Sequence, residues 1–317
     1  MLSLLFLLIG FIPLVYGANL LVDSASSLAK RFDIPNIVIG LTIVAFGTSA
    51  PELIVNIFAS ISKNSDITLG NIVGSNIFNI FGILGISALI YPLSIKSNTT
   101  WLEIPLCFLS AIVILVISND SLITKASFSL IDRIDGIILL FFFLIFLVYN
   151  VQIMKSGGFN EEISVKNYSI IKSSLYIIIG LILLIIGGKL IVSNAIKFAK
   201  FIGFSERIIA LTIVSIGTSL PELATSAVAA KKRNVDIAIG NIVGSNIFNV
   251  FFILGLSAVI NPVNLQKWSN FDMMANIIAS ILLFIFIFTG KGRKLERWEG
   301  VLFIIFYIVY VAFLIIL

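Results

Sequence analysis

Apolar residues in this chain come in long, nearly unbroken runs rather than alternating with polar ones. A helix that crosses the hydrocarbon core of a bilayer needs about 20 predominantly apolar residues. Between charges and turn residues, the runs predict ten membrane-spanning helices. They fall at roughly 2–29, 35–61, 67–92, 101–118, 134–153, 169–200, 206–230, 237–261, 271–289 and 299–317. The one long polar connection is KSGGFNEEISVK, from Lys155 to Lys166. The first run is apolar like a secretory signal, but it has no basic leading segment and has a counterpart later in the chain. It is expected to be a retained helix.

The pattern repeats, and the repeat organises everything else. Shifted by 170, residues 35–92 fall on 205–262 without a gap and agree at 33 of 58 positions. GTSAPEL (47–53) falls on GTSLPEL (217–223), and GNIVGSNIFN (70–79) falls on an identical GNIVGSNIFN (240–249). Upstream, Gly17 and Leu20 meet Gly187 and Leu190. The expected fold is an all-α membrane protein of two homologous five-helix halves, 1–153 and 169–317, joined by a short cytoplasmic linker, 154–168. Five is odd, so two similar halves must enter the membrane from opposite sides. This predicts an inverted-topology repeat about an axis in the membrane plane, an arrangement common in secondary transporters.

Basic residues set the orientation. With the N-terminus outside, the inside connections hold 13 Lys and Arg and the outside connections hold 7, which places both termini outside and the linker in the cytoplasm. Composition sharpens the class. Residues are 59% apolar and only 12% charged, with a mean hydropathy of +1.14. Soluble domains carry about 25% charge, so a water-soluble enzyme is excluded. The net charge of +5 is what cytoplasmic loops collect and does not indicate a nucleic-acid partner. The single cysteine, Cys107, forms no internal disulfide. There is no histidine, which removes the commonest metal ligand and the usual neutral-pH proton carrier. Ion chemistry here must use oxygen.

Glu52 and Glu222 sit near the middle of apolar spans, at equivalent repeat positions. A carboxylate at that depth costs about 2.5 kcal/mol or more, so it faces a cavity or a partner. One such Glu could simply hydrogen-bond a neighbouring helix in its protonated form, but two inside matching motifs point to an ion site. Pro51 and Pro221 cannot donate a backbone hydrogen bond, and Gly47 and Gly217 tolerate unusual backbone angles. Together they are expected to break each helix at mid-membrane and free carbonyls around Ala45 and Phe46, and around Ser215 and Ile216. Such carbonyls must line a polar cavity or bind ions. Thr48, Ser49, Thr218 and Ser219 add hydroxyls at the same level. Asn71, Asn76 and Asn79 offer amide oxygens, and the pairs Asn76–Asn79 and Asn246–Asn249 each share a helix face. Gly70, Gly74, Gly240 and Gly244 form small-xxx-small patterns expected to let the two motif helices cross closely. This oxygen-only inventory fits hard cations. Calcium takes about 6–8 oxygens in a flexible shell, and two carboxylates match one Ca²⁺ or alternating Na⁺ ions, whereas Mg²⁺ wants a rigid octahedron.

The paired GTSxPE and GNIVGSNIFN motifs resemble the two alpha-repeats of the cation/calcium exchanger superfamily, and are most similar to its prokaryotic sodium/calcium exchangers. The resemblance covers the whole ten-helix layout. It implies a calcium/sodium antiporter of a prokaryotic inner membrane that works by alternating access, with Ca²⁺ and Na⁺ as substrates and no cofactor. It implies Glu52 and Glu222 as central ligands, with Thr48, Ser49, Thr218, Ser219, Asn79 and Asn249 around them. Carbonyls at Ala45 and Ser215, and the Ser75 and Ser245 positions, are implied too. Several relatives carry Asp where this chain has Asn249, which argues against potassium coupling, and the acidic motifs of the proton-coupled branch are absent. A cation channel with the same ligands is a rival; an intramembrane protease is a remote one. Asp23 and Lys189, one in each half, either pair across the gating helices or reach an interface. The abundant phenylalanines are expected to face lipid or core, and Glu161 and Glu162 to be solvated.

Overall fold

The computed structural model describes residues 2–119, 129–155, 165–201, 215–265, 269–290 and 292–316. Glu161, Glu162 and residues 206–214 of the seventh expected span lie outside the described residues. The helices follow the apolar runs closely. In chain order they are α1 (Leu2–Arg31), α2 (Asn36–Thr48), α3 (Ala50–Ile61), α4 (Ser65–Ile90), α5 (Thr99–Ile117), α6 (Arg133–Lys155) and α7 (Ile170–Phe201). The second half continues with α8 (Ser215–Thr218), α9 (Leu220–Lys231), α10 (Val235–Ile260), α11 (Ser269–Phe286) and α12 (Arg297–Ile316). Among the described residues, eight helices are long and apolar enough to cross a membrane. The pair α2 and α3, bent by 48°, makes a ninth if read as one span.

Among the described residues the fold is helical except for four two-residue strands, β1 (Leu93–Ser94), β2 (Leu130–Ile131), β3 (Val263–Asn264) and β4 (Lys294–Leu295), which the apolar pattern did not announce. β1 pairs antiparallel with β4, and β2 with β3. Both pairings join the first half to the second. They mark an exchange: the last helix of each half packs on the other half. An added Cβ on Gly85 of α4 would lie 3.0 Å from the Gly300 carbonyl oxygen of α12, and one on Gly136 of α6 would lie 2.7 Å from that of Gly255 in α10. Aromatic rings fill both seams. Phe81 meets Phe303 at 5.5 Å, and its repeat mate Phe251 meets Phe142 at 5.3 Å. Many of the phenylalanines are therefore core contacts.

α1 and α7 form a long antiparallel pair. Lipid tails are as apolar as leucine, so such pairs rely on close packing at small residues. Here a Cβ on Gly17 would lie 2.7 Å from the Gly180 carbonyl oxygen, and one on Gly187 would lie 2.9 Å from that of Gly10. At one end the pair is tied to the rest of the protein. Asp23 of α1 forms ion pairs with Lys166 at 2.8 Å and with Lys232, in the turn between α9 and α10. Bonding to Asp23 holds the Lys166 ammonium above its ordinary pKa. Ser26 accepts from Asn234 Nδ2 at 2.9 Å beside it. Asp23 therefore reaches an interface, while Lys189 lies exposed on α7.

Candidate cation site

Both GTSxPE segments break where the motif predicts. Ser49 (φ −81°, ψ 8°) and Ser219 (φ −89°, ψ 10°) interrupt the helices, and a proline stands in the first turn of α3 and of α9. The glycines act differently from the expectation. Gly292 is the one described glycine in the left-handed region, so Gly47 and Gly217 do not supply unusual angles. They supply room: a Cβ on Gly47 would lie 2.6 Å from Leu181 of α7, and one on Gly217 would collide with Val192. Nor is the Ala45 carbonyl left free. It accepts the Ser49 N–H at 3.0 Å, and the Thr48 hydroxyl oxygen lies 3.4 Å away. Ser215 is the first residue of α8.

The two carboxylates are each 1% exposed. Each is held by a serine of the opposite half. Ser49 Oγ donates to Glu222 Oε1 at 2.9 Å, and Ser219 Oγ donates to Glu52 Oε1 at 2.9 Å. Ser75 Oγ joins the second group, 3.5 Å from Glu52 Oε1 and 3.1 Å from Ser219 Oγ. The second oxygen of each carboxylate, Oε2, is buried without a partner.

The asparagines sort into three jobs. Asn76 and Asn246 stitch the halves together: each amide nitrogen donates to the other's backbone carbonyl, at 3.2 Å and 3.3 Å. Asn79 Nδ2 donates to Asn246 Oδ1 at 2.8 Å, and Asn249 Nδ2 donates to Asn76 Oδ1 at 3.0 Å. That leaves Asn79 Oδ1 and Asn249 Oδ1 buried and unpartnered, like Ser245 Oγ. Asn71 and Asn241 serve the threonines: Thr218 Oγ1 donates to Asn71 Oδ1 at 3.2 Å, and Thr48 Oγ1 to Asn241 Oδ1 at 3.0 Å. α4 and α10 both open into π-helical turns here, Phe78–Leu84 and Asn249–Leu254. Such turns widen a helix and are frequent at functional sites. α9 packs against the first turn and α3 against the second, so each Glu-bearing helix meets the Asn-bearing turn of the other half.

Buried polar atoms in proteins almost always find hydrogen-bond partners. Glu52 Oε2, Glu222 Oε2, Asn79 Oδ1, Asn249 Oδ1 and Ser245 Oγ do not, and four of these five atoms are pure acceptors. A cation would satisfy these acceptor oxygens. All five of these atoms are oxygens, the donor type that suits hard cations. The small-xxx-small glycines behave unlike the expectation. Gly240 and Gly244 pack on α2, where added Cβ atoms would lie 2.9 Å from the Ile37 carbonyl oxygen and 2.7 Å from that of Leu41. The central crossing of α4 and α10 is made by Asn76 and Asn246 instead.

Fold and site together define a membrane-spanning helical antiporter built around two copies of one motif. Residues 2–152 and 172–316 match the family model described as sodium/calcium exchanger protein, and the chain belongs to that family. The sodium/calcium exchanger MaX1 of Methanosarcina acetivorans is 33% identical, with 99% of this chain and 98% of that protein covered. The inner membrane protein YrbG of Escherichia coli (strain K12) is 34% identical over 97% of this chain and 95% of its own length. A structure of the sodium-calcium exchanger NCX_Mj soaked with Na⁺ and Sr²⁺ superposes with a TM-score of 0.83, at 35% identity and 98% coverage of both chains.

Proposed function

We propose that this protein exchanges Ca²⁺ for Na⁺ across a prokaryotic inner membrane by alternating access at a single midplane site. The observation that carries the reading is the set of buried, unpartnered oxygens on the two motifs that hold Glu52 and Glu222. Glu52 and Glu222 are the central ligands. Thr48, Ser49, Thr218, Ser219, Asn79, Asn249, Ser75 and Ser245 complete the shell with the Ala45 and Ser215 carbonyls. Ca²⁺ and Na⁺ use the same oxygens in turn. Either ion offsets the two carboxylate charges, and an empty, doubly charged site resists crossing an apolar barrier.

The architecture behind this reading is ten spans in two inverted five-helix repeats, with both termini outside. The reciprocal pairs Ser49–Glu222 and Ser219–Glu52, at 2.9 Å each, fit it, because a two-fold relation between the halves makes each contact recur with its partners exchanged. α1 and α7 are the elements that would slide across the core, since they pack on each other at glycines and α7 touches the breaks at Gly47 and Gly217. No cofactor enters the cycle. Proteoliposomes loaded with Na⁺ should take up Ca²⁺ when diluted into Na⁺-free buffer. Equal uptake driven by K⁺ or H⁺ gradients would move the reading to a differently coupled exchanger, and downhill Ca²⁺ flux needing no counter-ion would make the protein a channel.

A further inference from the structure

Each motif threonine is held by the first asparagine of the other half's GNIVGSNIFN segment. The Thr48 hydroxyl donates to Asn241 Oδ1 at 3.0 Å, and the Thr218 hydroxyl to Asn71 Oδ1 at 3.2 Å. We propose that Asn71 and Asn241 are positioning residues that aim the threonine oxygens at the cation, with Asn241 the rigid member of the pair and Asn71 the loose one. This rests on the reading of Glu52 and Glu222 as the cation site.

A hydroxyl has one proton and two acceptor lone pairs. A cation binds the lone pairs and repels the proton. When the proton is committed to an amide oxygen, the lone pairs face the site before the ion arrives. Without that acceptor the proton turns to another oxygen within reach in the low-dielectric interior, where such bonds are strong. For Thr48 the Ala45 carbonyl is 3.4 Å away. A threonine turned that way presents its oxygen differently to an ion.

The halves differ one layer further out. Asn241 Nδ2 donates to Ser226 Oγ at 2.9 Å and to the Glu222 carbonyl at 3.3 Å, so its amide plane is locked to the same helix that carries the carboxylate. The repeat mate of Ser226 is Asn56. Asn56 is fully buried with both amide atoms unpartnered, and so is Asn71 Nδ2. Asn71 therefore offers Thr218 an acceptor without a fixed frame.

The test is a pair of double-mutant cycles on the full chain, read as Ca²⁺ KM and maximal rate of Na⁺-driven uptake in proteoliposomes. One cycle combines Asn241→Leu with Thr48→Val, the other Asn71→Leu with Thr218→Val. Asn241→Leu should raise the Ca²⁺ KM by about 10-fold, the effect of one lost charge-assisted contact, and Asn71→Leu by less. Each double variant should be no worse than its threonine single. Effects that multiply in the doubles, or a wild-type KM in both asparagine variants, would overturn the proposal. Asn241→Leu also removes two internal bonds. Should it elute as aggregate, Asn71→Leu carries the decision alone, because its amide nitrogen has no partner to lose. Glu52→Gln run alongside separates the two readings: exchange that survives it defeats the cation site itself, whereas its loss with unaltered asparagine variants defeats only the positioning role.

Discussion

Ser49 Oγ stands 2.9 Å from Glu222 Oε1 although 173 residues separate the two in sequence. Its mate Ser219 stands at the same 2.9 Å from Glu52. Each half thus orients the carboxylate of the other. A hydrogen bond to a charged group contributes about 1.5–3 kcal/mol. Ser49→Ala and Ser219→Ala should each raise the Ca²⁺ KM roughly 10-fold or more. Because the contacts are related by the repeat, the two values should agree within about threefold, a difference of about 0.65 kcal/mol. Radiolabelled Ca²⁺ uptake measures both, and a wild-type KM in either variant contradicts the crossed arrangement.

The asparagine oxygens at the site lead to a second prediction. Asn249 spends its amide nitrogen on Asn76 Oδ1 at 3.0 Å. Asn249→Asp replaces that donor with a carboxylate facing a carbonyl and adds a third negative charge. A third charge at the cation should change the Ca²⁺ KM by about 10-fold or more, the size of one charge-assisted contact. Radiolabelled Ca²⁺ uptake by parent and variant decides it, and an unchanged KM counts against the placement of Asn249 in the site.

Closure at one end depends on Asp23. Its two lysine partners, Lys166 and Lys232, come from segments far apart in the chain. The repeat places Ser193 and Ser62 at the positions of Asp23 and Lys232, so the opposite end lacks this ion pair in sequence. Exposed pairs contribute about 0–1 kcal/mol each. Asp23→Asn should speed amide hydrogen exchange in the turn at residues 231–234 by roughly fivefold, the equivalent of about 1 kcal/mol. Unchanged exchange there would mean that the helix packing alone holds this end shut.

The α1–α7 seam should tolerate no added volume. A Cβ at Gly17 would meet the Gly180 carbonyl oxygen at 2.7 Å, and the atom in the way is backbone. Overpacking of this kind costs about 1–3 kcal/mol. Gly17→Ala should lower the apparent Tm by several degrees in detergent, and an unchanged melting temperature would show that the helices separate freely.

Much of this architecture was legible in the chain itself because it is written locally. Apolar runs set the helix spans to within a few residues, and the 170-residue offset found both Glu52 and Glu222. What stayed hidden depends on which elements meet. The exchange of α6 and α12 between halves rests on contacts such as Gly85 against Gly300, which no local pattern encodes. The π-helical turns at Asn79 and Asn249 arise from tertiary packing and leave no hydropathy signal. Gly47 and Gly217 suggested backbone freedom because glycine has two uses, and only the position of α7 distinguishes them. Asn71 was visible as a candidate ligand, and Asn241 is its mate in an identical ten-residue motif. Their partners Thr218 and Thr48 lie 147 and 193 residues away.

The central claim is that one oxygen cage holds Ca²⁺ and Na⁺ in turn. Equilibrium binding of radiolabelled Ca²⁺ to the purified protein, repeated at rising Na⁺, tests it most directly. Na⁺ should displace Ca²⁺ competitively, and both Glu52→Gln and Glu222→Gln should abolish the displaceable binding. Ca²⁺ binding that is indifferent to Na⁺, or that survives in either glutamine variant, would contradict a shared site.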